Sequence, residues 1–106
     1  MIHSTVRMTL PSNRVQEAKG ILGPMVEQTR MRRGCLGCHL HRDAFEEEVF
    51  ILEESWASEV DLERHLRSQD YRQLLLLMEL ATAPPEVSFD TVSHSTGFET
   101  IEKARG

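Results

Sequence analysis

The chain has 106 residues, of which 40% are hydrophobic and 27% are charged, and these values are typical of one globular domain. Its formal net charge is -5, from 17 acidic and 12 basic side chains. That balance argues against nucleic acid or a membrane as the main partner, because both attract clustered positive charge. No segment reaches the length of a transmembrane helix, and the N-terminus lacks the pattern of a signal peptide. We therefore expect a cytoplasmic protein whose two cysteines stay reduced.

The first predicted element is a β-strand over residues 2–10, because apolar and polar side chains alternate there. Its polar face carries His3, Thr5, Arg7 and Thr9.

A helix is predicted next, because apolar residues recur at helical spacing over 15–29. Ser12 or Asn13 is expected to cap this helix, and Gly34 is expected to end it. The Gly-Pro pair that ends at Pro24 predicts a kink or a break. The one basic cluster of the chain lies at the end of this helix, where we expect it to stabilise the helix dipole. It consists of Arg30, Arg32 and Arg33.

Two further strands follow, and the polar stretch between them predicts a hairpin. The second strand, "CLGCHLHR" over 35–42, alternates so that Leu36, Cys38 and Leu40 lie opposite Cys35, His39 and His41. The third strand, "VFILEESW" over 49–56, is rich in β-branched and aromatic residues.

The last part of the chain predicts two helices, a fourth strand and a final helix. Ser58 is expected to cap a helix over 59–67, and Ser68 is expected to cap another over 69–80. A double proline then excludes helix, and "EVSFDTVSH" over 86–94 alternates as a strand. The residues Thr96-Gly97-Phe98-Glu99 form a capping box that opens a C-terminal helix, about 97–105.

This order of elements predicts an α+β protein with the split β-α-β arrangement of ferredoxin-like folds. In that arrangement helices pack on one face of an antiparallel sheet, and the other face stays bare. Since a single chain has no element left to cover the bare face, we expect a homodimer. The whole chain, 1–106, is interpreted as one domain with its core over about 2–94.

The residues Cys35-Leu36-Gly37-Cys38-His39 match the C-x-x-C-H signature of covalent haem attachment. Haem attachment normally follows export, for which the chain shows no signal, and residues i and i+3 of a strand point to opposite faces. We therefore interpret the match as chance. A zinc site built from Cys35, His39 and His41, which alternate onto one face, remains an alternative.

The stretches "LEESWASEVDLERHLRSQDYRQLL" and "RRGCLGCHLHRD" resemble the antibiotic biosynthesis monooxygenase (ABM) family, and the resemblance runs over about 2–92. It implies a dimeric α+β barrel built from ferredoxin-like halves. It also implies a cofactor-free oxygenase that acts on quinols or anthrones, with no metal. The chain departs from the family at Cys38, where an aromatic residue is usual, and in its C-terminal helix.

A cofactor-free oxygenase needs a base, because its phenolic substrate must lose a proton before its anion gives an electron to dioxygen. His65 lies at the family's histidine position and is the predicted general base, with packing of the helix as the alternative. Arg7 is predicted to stabilise the phenolate. The predicted substrate-binding residues are Trp56, His3, Thr5, His39 and Tyr71. The alternative for Trp56 and Tyr71 is packing in the core. The alternative for the polar strand residues is hydration, or pairing with Glu53 or Glu54, near the strand ends.

Two other functions stay open at this point. One is a non-catalytic dimeric module that binds a small hydrophobic ligand. The other is a haem-binding relative that uses His3, His39, His41 or His65 as its iron ligand.

Overall fold

The computed structural model describes all 106 residues and contains four strands and four α-helices. The elements are β1 (Ile2–Thr9), a 3-10 turn (Ser12–Arg14), α1 (Val15–Arg30), β2 (Cys35–Arg42), β3 (Val49–Trp56), α2 (Glu59–Leu66), α3 (Gln69–Met78), β4 (Glu86–Thr91) and α4 (Phe98–Arg105). The strands form one antiparallel sheet in the order β2-β3-β1-β4. This topology confirms the predicted ferredoxin-like α+β fold.

One face of the sheet is covered by helices, as the alternation in β1 predicts. Buried and half-buried residues alternate along β1, and Val6 and Met8 lie in the main core of 14 buried residues. Beside that core, Ile2, Trp56 and Leu62 form a smaller cluster where β1 and β3 meet α2. His3, Thr5, Arg7 and Thr9 of β1 lie on the opposite face of the sheet, which no helix covers and which we call the open face. Ser4 is buried on the helix-facing side.

The two cysteines lie on the same face of β2, contrary to the predicted alternation. Cys35 is paired with Trp56 and Cys38 with Glu54, so Leu36 is an extra residue in a β-bulge. Because the bulge advances the alternation by one residue, both cysteines face the helices. The prediction that Cys35 shares a face with the histidines of β2 is therefore wrong. Both thiols are free, and no group of three metal-binding side chains is present.

The ends of α1 also differ from their prediction. Neither Ser12 nor Asn13 caps the helix, because a 3-10 turn precedes it and no side chain bonds its first turn. The helix continues through Pro24, contrary to the predicted kink or break. Pro24 has no N–H to donate to the carbonyl of Gly20, but both residues lie on the solvent side of the helix. It ends at Arg30, and Gly34 follows in a turn with a φ of 83°.

The caps of α2 and α3 are confirmed, whereas that of α4 is not. Ser58 accepts a hydrogen bond from the backbone N–H of Asp61, and Ser68 accepts one from that of Tyr71. Before α4, the predicted Thr96 cap is absent, and instead the Glu99 carboxylate accepts from the N–H of Gly97 at 2.8 Å. None of the helices is both long enough and apolar enough to cross a bilayer.

The C-terminal part of the chain leaves apolar surface uncovered. On β4, Val87 and Phe89 lie in register with the helix-facing residues of β1, yet each is 45% exposed. Helix α4 has no buried residue, and Phe98 and Ile101 on it are exposed. β4 ends at Thr91, three residues before the predicted end.

Candidate active site

A pocket of about 420 Å³ opens beside the C-terminal end of α1, at the edge of the core. β3 contributes its last residue, α2 contributes one side of the wall, and the turn after α1 contributes the rim. The lining residues are Gln28, Met31, Arg32, Arg33, Trp56, Asp61, Arg64 and His65. The volume lies in the range that holds small organic ligands.

Behind this pocket, four side chains form a buried polar and aromatic cluster. The Trp56 indole N–H donates to Oε1 of Glu54 at 3.0 Å, and the other oxygen, Oε2, lies 3.2 Å from Nε2 of His65. The Trp56 and His65 rings are stacked with their centroids 4.6 Å apart, and the Tyr71 ring meets His65 edge-on at 5.4 Å. Glu54 and His65 are each only 2% exposed. The cluster thus holds an ionisable pair in a nearly dry environment.

Simple periodicity explains how the chain assembles this cluster. In β3, alternate residues point to one face, so Glu54 shares the helix-facing side with Leu52 and Trp56. In α2, which begins after the Ser58 cap, Leu62 and His65 are three residues apart and both lie on the buried side. The tight turn between β3 and α2 then brings the two faces together.

The carboxylate of Glu54 determines which nitrogen of His65 carries the proton. An ionised carboxylate only accepts hydrogen bonds, so the bond to Glu54 requires a proton on Nε2 of His65. The second ring nitrogen, Nδ1, is buried and has no hydrogen-bond partner. In the neutral ring this Nδ1 carries a free lone pair, which is what a general base needs.

Two neighbouring groups are held in their protonated form. Burial, and then the charge of Glu54, raise the pKa of Tyr71 to about 12. The same two causes, in the same order, raise the pKa of the Cys38 thiol to about 12. Neither group can act as a base near neutral pH, so the basic side chains of the cluster are those of Glu54 and His65.

Of the predicted site residues, the structure brings together His65, Trp56 and Tyr71. The other four lie on the open face, on the far side of the sheet; they are His3, Thr5, Arg7 and His39. Nδ1 of His3 lies 3.2 Å from the Ser55 hydroxyl in that face. A single site that contains both His65 and Arg7 is therefore not formed within this chain.

The sequence interpretation missed Glu54 as a site residue, although a signal for it was present. In the alternation of β3, a carboxylate stands between Leu52 and Trp56 on the apolar face, and a charge in that position needs a buried partner. It also assigned Arg32 and Arg33 to the helix dipole. The helix ends at Arg30, so these two arginines lie beyond it and line the pocket.

The comparison with protein families gives one match, which covers most of the chain. The family model described as antibiotic biosynthesis monooxygenase matches residues 1–75. None of the curated proteins matches the sequence.

Several solved structures share this fold. A conserved protein from Methanosarcina mazei Go1 is 22% identical with a TM-score of 0.77, and the match covers 84% of this chain and 89% of that one. Rv0793 from Mycobacterium tuberculosis is 22% identical, with coverages of 91% and 98% and a TM-score of 0.80. An antibiotic biosynthesis monooxygenase is 18% identical, with coverages of 89% and 100% and a TM-score of 0.80. At these identities the likeness establishes the fold alone.

Proposed function

Because the chain belongs to the antibiotic biosynthesis monooxygenase family, we propose that it is an enzyme that oxidises a small electron-rich aromatic compound with dioxygen. The substrate class is that of quinols and anthrones, and no cofactor takes part. The observation that carries this proposal is the buried Glu54–His65 pair, in which Nδ1 of His65, a residue that lines the pocket, has no hydrogen-bond partner.

The first step is removal of the substrate's phenolic proton. A free phenol has a pKa of ~10, so near neutral pH it needs a base to form its anion. Nδ1 of His65 accepts this proton, and the ring becomes an imidazolium that Glu54 stabilises through Nε2. Burial of both side chains makes this electrostatic stabilisation stronger than it would be in water.

The electron-rich anion then reduces dioxygen. In the anthrone case, the ring CH2 group becomes C=O, and the second oxygen atom leaves as water with the two hydrogens of that group. The substrate supplies all four electrons, so the step needs no external reductant. Trp56, which lines the pocket and stacks on His65, shields reactive oxygen intermediates from water on its side of the pocket.

A second copy of the chain is proposed to cover the open face. This face carries mostly polar side chains around Ile51, and no helix covers it. Separately, Val87 and Phe89 on the helix-facing side of β4 and Phe98 on α4 are exposed apolar residues. On this proposal, Arg7 and the other open-face residues belong to the subunit interface instead of the His65 pocket. Sedimentation equilibrium tests it, and a monomer at micromolar concentration would contradict it.

The test of the activity is dioxygen uptake by metal-free protein over a panel of hydroquinones, naphthols and anthrones. We expect saturable uptake with at least one compound, and a fall in kcat of ~10²-fold or more in His65→Ala. His94→Ala is the matched control, because His94 is exposed and lies outside the pocket. Arg7→Gln, tested in parallel, asks whether the open face contributes to turnover.

Three outcomes are informative. Loss of uptake in His65→Ala alone supports the proposed base. Equal uptake in His65→Ala and wild type refutes the role of His65 while leaving the enzyme. Absence of uptake, together with tight binding of the same aromatic compounds, would favour a ligand-binding module.

A further inference from the structure

We propose that the substrate of this pocket carries a carboxylate on its aromatic ring system, and that Arg33 binds this group. The inference rests on the proposed function, because it names the substrate class of the same site. It begins from the charge of the pocket, whose lining includes three guanidinium groups and one carboxylate.

The positive lining contrasts with the rest of the molecule. The chain as a whole has a net charge of -5, whereas the lining residues Arg32, Arg33, Arg64 and Asp61 sum to a positive charge. A cleft lined by one sign of charge attracts ligands of the opposite sign and raises their local concentration. A neutral quinol would gain nothing from this arrangement on binding, before its proton is removed, but an acidic one would.

Arg33 is the member of this set that is free to bind a ligand. Arg32 is paired with Asp70 at 2.7 Å, and Arg64 is paired with Asp61 at 2.9 Å. Arg33 forms neither an ion pair nor a side-chain hydrogen bond, so its planar group of N–H donors is unused. A guanidinium matches a carboxylate with two parallel hydrogen bonds, and this geometry selects planar acids.

The backbone fixes where Arg33 stands relative to the aromatic wall. Arg33 precedes Gly34, whose carbonyl accepts the N–H of Ala57 at 2.8 Å and whose Cα packs against the Asp61 side chain. Ala57 directly follows Trp56, so the root of the Arg33 side chain is held close to the end of β3. A ligand whose ring meets the Trp56 and His65 wall can therefore place a ring carboxylate at Arg33.

Binding of two matched, redox-inert ligands tests this inference without turnover. 2-Naphthoate carries the carboxylate, and 2-naphthamide has the same ring and a neutral group of nearly the same shape. Isothermal titration calorimetry with the wild type should give at least ~10-fold tighter binding of the acid, a preference that weakens as salt rises. Arg33→Gln should remove this preference by weakening the acid while leaving the amide unchanged.

Two further variants separate the effect of bidentate hydrogen bonding from the effect of the positive charge. Arg72→Gln removes the same charge from an exposed position on α3 outside the pocket lining, and it should bind both ligands as the wild type does. Arg33→Lys keeps the positive charge but cannot form the bidentate hydrogen bonds, so it should retain only part of the preference for the acid over the amide. Circular dichroism confirms that each variant is folded.

The inference is overturned if the wild type binds acid and amide equally, if it binds neither, or if Arg33→Gln keeps the preference. The oxygenase proposal would still hold after such a result if the protein oxidises neutral hydroquinones and loses this activity in His65→Ala. Conversely, a carboxylate preference without dioxygen uptake would support the anion site and count against the oxygenase. The two proposals can therefore fail separately.

Discussion

Replacing Glu54 by glutamine should reverse the tautomer of His65. In the native cluster the carboxylate accepts two hydrogen bonds, one from Trp56 Nε1 at 3.0 Å and one at 3.2 Å from His65 Nε2. A glutamine amide offers one accepting oxygen and one donating NH2 group. Because the indole N–H can only donate, the oxygen must face Trp56, and the NH2 group then faces His65.

The free-energy cost of keeping the proton on Nε2 determines which tautomer His65 adopts in Glu54→Gln. If His65 kept its proton on Nε2, two donors would face each other in a buried site, and an unsatisfied buried donor costs about 1–3 kcal/mol. Moving the proton to Nδ1 removes this conflict and restores one hydrogen bond, and the buried Nδ1–H is then the one donor without a partner. The remaining loss is mainly that of this one unsatisfied buried donor, about 1–3 kcal/mol in the free energy of unfolding.

Long-range proton–nitrogen correlation spectra of the imidazole rings measure the tautomer directly. The chain has five histidines, and the signals of His65 are identified by their loss in His65→Gln. Glu53→Gln is the matched control, because Glu53 lies on the open face, where it contacts His41 at 3.5 Å with 40% of its side chain exposed. It should leave the His65 spectrum and the urea midpoint unchanged.

A wild-type ring that already carries its proton on Nδ1 would refute the role of Nδ1 as the base, and so would a tautomer that is unchanged in Glu54→Gln. A reversed tautomer also removes the free lone pair from Nδ1 of His65. Turnover, where found, should then fall by ~10²-fold or more in Glu54→Gln, even though the histidine itself is intact.

Three further predictions concern the conformation and protonation of residues around the site. Gly34→Ala should lower the free energy of unfolding, measured in urea, by about 1–3 kcal/mol. The reason is that φ of residue 34 is +83° and the new Cβ would lie 2.1 Å from Cγ of Asp61. An unchanged midpoint of urea unfolding would contradict this. Tyr71, the one tyrosine, should titrate near pH 12 in the folded protein when phenolate absorbance is followed. Because the phenol of the unfolded chain ionises first, the free energy of unfolding should fall as pH rises above ~10. Titration at the ordinary pKa would disprove the burial of Tyr71. A thiol reagent should modify Cys35 slowly and Cys38 only after unfolding, because burial raises the pKa of both thiols. Rapid modification of both thiols in the native protein would contradict the structure.

Three of the seven predicted site residues lie together, and local patterns explain why. His65, Trp56 and Tyr71 come together because a helical stripe and a strand alternation each mark them as inward-facing. Arg7 is equally conspicuous in the sequence, yet it lies on the opposite face, because alternation sorts residues into two sets without saying which set faces the helices.

By itself, the sequence determined the element order and the ferredoxin-like α+β fold, because periods of 2 and 3.6 residues and the capping serines are local properties. Only the tertiary structure decided that a bulge turns Cys35 onto the face of Cys38, and that Glu54 bonds a histidine eleven residues away. It also decided that Arg33 stands at a pocket rim. These features depend on strand register and on how α2 packs against β3. Register and packing are set by the burial of the whole sheet, and no single segment specifies them.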